Sequence, residues 1–165
     1  MGMHRTSTSL IARKLHQSGI HMGSQFIKTD ELNPKGYYED IEFVNLNKYL
    51  LKLAGGDWYN IPPEWKILKL ANEPRPASLI KKLVQKRVRM YDRWGFKDPR
   101  TCLTIRLYLP YLPEHYIYAS FRSPKDIAVS LNRCHNVPVD TAFNLAKEYN
   151  RRLLKFLEEM NKSWR

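Results

Sequence analysis

Three short stretches of this chain carry residue types that could hold and move an anionic group. The first is Gly2-Met3-His4-Arg5-Thr6-Ser7-Thr8-Ser9, which runs directly into an amphipathic segment. Successive backbone N–H groups at a loop-to-helix junction can surround phosphate oxygens, and the positive end of the helix dipole favours the anion. Thr6, Ser7, Thr8 and Ser9 add hydroxyl donors, and Arg5 adds a fixed guanidinium fork. Against the nucleotide-triphosphate template GxxxxGK[ST], Gly2 and Ser9 fit, while Ser7 replaces the second glycine and Thr8 the lysine. Without that lysine nothing in the loop reaches β/γ-phosphates, which disfavours ATP or GTP chemistry. Taken alone, the same residues describe an ordinary Ser/Thr-capped helix start.

The second stretch is Phe121-Arg122-Ser123-Pro124, continuing to Ser130. Ser123 suits an N-cap and Pro124 a first helical position, which places Ser130 about two turns into a helix. A guanidinium at Arg122 and a hydroxyl at Ser130 can grip one phosphate from two sides. Singly, each also reads as a solvated surface residue. The third stretch is Lys97-Asp98-Pro99-Arg100, at the end of an apolar run. Lys, Asp and Arg together at a strand end suit catalysis, and equally a surface ion pair in a turn.

Helical periodicity supplies the elements that must position these groups. Thr8 to Ser18 reads as a helix stopped by Gly19, and Asp40 to Ala54 as a second ended by Gly55-Gly56. Residues 58–76, with Trp58, Trp65 and several prolines, read as an irregular excursion pinned by its aromatics, with at most a short helix. Ser78 to Tyr91 returns to helix, with Leu79, Ile80, Leu83, Val84 and Val88 inward and Lys81, Lys82, Lys86 and Arg89 outward. Trp94 to Lys97 and Tyr116 to Phe121 read as strands, each followed by a helix: Thr101 to Leu109 and Pro124 to Cys134. A long helix begins near Asp140. Strand-then-helix repetition leads to an expected α/β fold with a short parallel sheet flanked by helices in three layers. One domain over residues 1–165 is expected.

Charge says what sort of ligand to expect. The net charge is +12, with twelve Lys/Arg against four Asp/Glu in residues 64–106 and three against six in residues 30–57. The partner is therefore expected to be anionic. No apolar run approaches the roughly 20 residues of a membrane-spanning helix, so no membrane span is expected. Arg5, Arg13 and Lys14 interrupt any secretory h-region. Cys102 and Cys134 make no disulfide framework, and a reducing cytoplasm is the expected location. The histidines and cysteines lack metal-ligand spacing, so no metal is expected.

In this order the stretches resemble the sulfotransferases that use 3′-phosphoadenosine 5′-phosphosulfate (PAPS), in their bacterial and Golgi-type branches. GMHRTSTSL resembles the 5′-phosphosulfate loop, usually closer to GxxRSGTS, and FRSPKDIAVSL resembles the 3′-phosphate motif with its Arg and Ser eight positions apart. NPKGYYED and WGFKDPRTCLTI resemble intervening blocks of the bacterial branch. The resemblance runs from Gly2 to about Arg133. It implies a P-loop-like fold, PAPS as sulfuryl donor, and transfer to a hydroxyl or amine acceptor. It also implies Arg5, Thr6, Ser7, Thr8 and Ser9 at the 5′-phosphate, Lys97 beside the moving sulfonate, and Arg122 with Ser130 at the 3′-phosphate. Asp98 stands where cytosolic members carry a catalytic histidine, Glu39 matches the glutamate other branches use, and His4 adjoins the loop. Asp98 is the expected general base, with Glu39 as its rival and His4 as a third candidate. The chain departs from the family in having Ser7 for a glycine. The family's first strand would precede Gly2 and its last elements would follow the 3′-phosphate helix, so a truncated or minimal member is expected.

Two other readings compete. A P-loop kinase-like enzyme would bind ATP with magnesium. A nonenzymatic basic module would use Lys81, Lys82, Lys86, Arg87, Arg89 and Arg93 against nucleic acid or another polyanion, with strongly salt-dependent binding. The sulfotransferase reading itself expects no nucleic acid partner and leaves the acceptor open among sugar, lipid, peptide and small metabolite.

Overall fold

A computed structural model describes residues 1–163, among which seven α-helices follow one another. They are α1 (Thr8–Gln17), α2 (Ile41–Leu53), α3 (Glu64–Lys69), α4 (Pro74–Met90), α5 (Thr101–Tyr108), α6 (Pro124–His135) and α7 (Val139–Ser163). Short 3-10 turns sit at Leu70–Asn72 and Leu109–Tyr111.

The expected α/β architecture is not formed. Among the described residues there is no strand and no sheet, only two isolated bridges, a parallel one between His21 and Trp94 and an antiparallel one between Phe26 and Asp40. Of the two segments expected as strands, residues 94–97 make one of these bridges and residues 116–121 make none. The amide of His21 donates to the Arg93 carbonyl at 2.9 Å and that of Gly95 to the His21 carbonyl at 2.9 Å. Ser120 N–H donates to the Met1 carbonyl at 2.8 Å, and the Met1 ammonium donates to the Tyr118 carbonyl. Between the two segments lies an apolar groove walled by Ile11, Leu15, Phe96, Ile105 and Ile117, so the two do not pair with each other. β-forming side chains stabilise a strand only beside paired neighbours, and lone pairs are marginal in water.

The core is helical. Phe43, Leu50 and Leu51 from α2 meet Ile80 and Val84 from α4, Leu103 and Tyr108 from α5, and Tyr149 and Phe156 from α7. Ala142 and Ala146, one turn apart on α7, are fully buried, and their small side chains let α6 lie close along that helix. Helix phase differs in detail from the expected stripes. Leu79 and Val88, expected inward, face solvent, while Arg87, expected on a cationic surface, is 1% exposed. Its guanidinium donates to Asp40 at 2.7 Å and to Glu42 at 2.6 Å, so the buried charge is paired. Trp58 and Tyr59 pack on the core as expected, whereas Trp65 is 64% exposed.

Candidate functional site

The loop before α1 is shaped by a close approach and two left-handed residues. A Cβ on Gly2 would stand 2.6 Å from the Ser120 carbonyl oxygen and 2.6 Å from Thr6 Oγ1, so only glycine fits. Thr6 is buried, with its hydroxyl on the Met3 carbonyl at 2.7 Å, and its own carbonyl accepts from Ser120 Oγ. Thr6 therefore braces the loop, while Ser7, Thr8 and Ser9 border a cavity. Arg5 (φ 68°) and Ser7 (φ 64°) both adopt the left-handed conformation, which non-glycine residues rarely take. The Ser7 conformation explains why a glycine is natural there. Ser7→Gly is expected to change stability by less than about 1 kcal/mol, and Ser7→Val to cost more than that. Urea denaturation of both variants checks the ranking, and equal stability would remove the backbone argument. The first amides of α1 have no intrahelical acceptor, and its first turn carries no acidic side chain, so an anion there is favoured.

Arg5 ties this loop to α6, its Nε donating to Ser130 Oγ at 2.8 Å. Arg122 Nη1 donates to the Arg5 carbonyl at 3.3 Å, and Asp126 lies 3.7 Å from its Nε. Arg122 and Ser130 are thus both brought to Arg5, one at its carbonyl and one at its guanidinium. Ser123 occupies the N-cap position of α6 without a side-chain cap bond, and Pro124 stands at its first turn.

Lys97 arrives from the opposite side. Phe96 stacks on Phe43 with centroids 4.0 Å apart, which fixes the segment leading to Lys97 against α2. The buried Lys97 ammonium lies 2.5 Å from Glu39 Oε1, 3.2 Å from Ser9 Oγ and 3.3 Å from the Tyr37 carbonyl. Glu39 is placed by its neighbour: Asp40 caps α2 through the amide of Glu42 at 2.9 Å and is held by Arg87. Burial pushes the Glu39 carboxyl above the ordinary glutamate range, and Lys97 opposes that shift in part.

Asp98 does not border the cavity. Its Oδ1 accepts from the Arg100 amide at 3.0 Å and from Arg100 Nη1 at 2.7 Å, and its Oδ2 accepts from Asn47 Nδ2 at 2.9 Å. Asn47 in turn accepts from Thr104 Oγ1 at 2.7 Å and from the Tyr108 hydroxyl at 2.9 Å. This buried network joins α2 to α5, and Asp98 is one of its members.

The cavity, about 260 Å³, is lined by His4, Arg5, Ser7, Thr8, Ser9, Leu32, Asn33, Tyr37, Glu39, Lys97, Pro99, Arg122 and His135. Thus all three chemically suggestive stretches converge on one space. No protein-family model, curated protein or solved structure matches this chain. The functional reading therefore rests on the site itself.

Leu32, Asn33, Tyr37 and His135 were not singled out by residue chemistry, although the NPKGYYED block contains two of them. Asn33 donates to Ser9 Oγ at 3.3 Å, and the Tyr37 hydroxyl donates to both Asp30 oxygens at 2.8 Å. Burial and that bond push the Tyr37 phenol up to about 12, so it stays protonated. His4 packs on Trp58 at 4.7 Å. Burial first, then the charges of Arg100 and Lys97, hold its imidazole well below the usual histidine range, so it is neutral at pH 7. His4 Nδ1 is shielded and has no hydrogen-bond partner among the described residues, which weakens its claim as a base beside the well-placed Glu39.

Proposed function

We propose that this chain transfers a sulfuryl group from PAPS to a hydroxyl or amine acceptor. One observation carries the reading: Arg5, Lys97, Arg122 and the α1 amides border the same cavity as a buried carboxylate, Glu39. Such a set suits an in-line displacement whose cost lies in positioning and charge neutralisation.

The residues divide the work. The amides and hydroxyls of Thr8 and Ser9 cradle the 5′-phosphate, with Ser7 at the loop tip and Thr6 bracing from beneath. Arg122 and Ser130 hold the 3′-phosphate. Ser130 Oγ accepts from Arg5 and still has its own proton to donate. The donor supplies an activated sulfuryl group bonded to a phosphate leaving group. As the acceptor oxygen or nitrogen bonds to sulfur, Glu39 takes its proton. Arg5 and Lys97 neutralise the charge that grows on the leaving phosphate as the sulfur–oxygen bond breaks. A carboxylate raised by burial is a better base than an exposed one.

Titration calorimetry with adenosine 3′,5′-bisphosphate tests the reading. The chain is expected to bind it without magnesium and in preference to ATP with magnesium. Losing a charge-assisted bond in Arg122→Ala should weaken binding about tenfold to hundredfold. Unchanged affinity would refute the 3′-phosphate assignment, and preference for magnesium–ATP would refute the donor.

A further inference from the structure

Helix α4 contains no acidic residue from Pro74 to Met90. It buries Ile80, Leu83, Val84 and Arg87, so its opposite side is turned outward. There Arg75, Lys82 and Arg89 succeed one another every seven residues, about 10 Å apart along the axis. Lys81, Lys82 and Arg89 form no ion pair among the described residues, and Lys86 alone pairs outward, with Glu42 at 2.9 Å. The ridge is therefore an uncompensated line of positive charge.

Apolar groups flank it. Leu79 is 38%, Val88 47% and Met90 47% exposed. On neighbouring α3, Trp65 is 64% and Leu68 39% exposed, and the Lys66 ammonium lies 5.6 Å from the Trp65 ring centroid. Both helices pack on α5 and are joined by the short 3-10 turn at Leu70–Asn72. Charge complementarity alone would admit any polyanion. The apolar groups decide between partners: a phosphodiester backbone gives Leu68, Leu79 and Val88 nothing to bury against. The headgroup and upper acyl region of a bilayer accepts tryptophan and leucine beside lysine and arginine.

We propose that the outer face of α3 and α4 docks on an anionic lipid bilayer. Its cations meet the headgroup phosphates, and Trp65, Leu68 and Leu79 enter the interface. This surface is separate from the cavity and does not depend on the sulfuryl-transfer reading.

Cosedimentation with vesicles tests it, using phosphatidylcholine alone and an equimolar mixture of phosphatidylcholine and phosphatidylglycerol. The chain is expected to pellet with the mixed vesicles at low salt and to stay in solution with phosphatidylcholine alone. Lys82→Glu combined with Arg89→Glu should weaken that binding about tenfold or more, and Trp65→Ser should weaken it severalfold. All these positions are exposed, and thermal melts of the variants confirm that the fold is retained. Absence of binding to the mixed vesicles, or equal binding to both compositions, would overturn the proposal. So would binding that Trp65→Ser leaves unchanged and a short single-stranded RNA displaces, which would make the ridge a nucleic-acid surface. Bisphosphate binding in the same variants is expected to match the parent chain, so the two readings fail independently.

Discussion

Lys97→Met is expected to destabilise the fold by up to about 3 kcal/mol at pH 7 and to lose most of that penalty near pH 4.5. The substitution leaves Glu39 buried without its cation. An ionised carboxylate so placed would cost about 3–5 kcal/mol, but the group can take a proton instead. Protonating a carboxyl of ordinary value 4.5 at pH 7 costs about 3 kcal/mol, which caps the loss. The sign follows from the direction of the shift. Burial already raises Glu39 in the folded chain, so its ionisation opposes folding, and removing Lys97 raises it further. Stability is then retained below the unfolded value and lost as pH rises towards the raised folded value. Adding Glu39→Gln to Lys97→Met should restore most of the loss at pH 7, because no buried charge remains. Urea unfolding at the two pH values measures all three proteins. A pH-independent penalty for Lys97→Met, or a double variant as weak as the single, would show that the pair is not what holds this wall of the cavity.

The helices were legible because burial imposes a period that a sequence displays directly. Ala142, Ala146, Tyr149, Leu153, Phe156, Leu157 and Met160 mark the inward stripe of α7; the first five are buried, and Leu157 and Met160 pack against the core partly buried. The strands were misread for the complementary reason. YIYASF has the side chains of a strand, yet a strand exists only through partners, and Tyr116 is 86% exposed with no ladder beside it. Arg87 was misassigned because its burial depends on Asp40 and Glu42, forty-seven and forty-five positions away. No local pattern announces such a pairing.

Within the site, residue type and spacing located the groups that meet around the cavity better than their orientation. Arg5, Lys97, Arg122 and Ser130 could be picked out as a set, and the chain folds so that they approach one another through Arg5 and Ser9. Thr6 could not be told from Ser7 in sequence, because their different roles depend on which side chain Ser120 and Met3 engage. Asn47 was hidden for a similar reason. It sits among Phe43, Val44, Leu46, Leu50 and Leu51 on a buried face, and a lone amide there signals a network only once its partners on α5 are known.

That network separates the two carboxylates proposed as general base. Glu39→Gln is expected to lower turnover per folded molecule about 100- to 10,000-fold with bisphosphate binding retained, because it removes a proton acceptor from the cavity, and to cost stability as well, because it leaves the Lys97 ammonium buried without its counterion. Asp98→Asn is expected to cost stability while keeping turnover. Its two oxygens face donors on both sides, the Arg100 amide and guanidinium on one and Asn47 Nδ2 on the other. An amide must point its own N–H₂ at one of them. Asn47 cannot turn over to relieve this, since its oxygen already serves Thr104 and Tyr108. The Arg100 charge is also left buried without its counterion, for a total of about 3–5 kcal/mol. Turnover per folded molecule should nevertheless survive. The pH profile supplies a further readout: the rate should rise with pH through a value above the ordinary glutamate range, and that limb should vanish in Glu39→Gln. A folded Asp98→Asn that has lost turnover, beside a Glu39→Gln that keeps it, would transfer the base to Asp98 and make the Lys97–Glu39 pair purely structural.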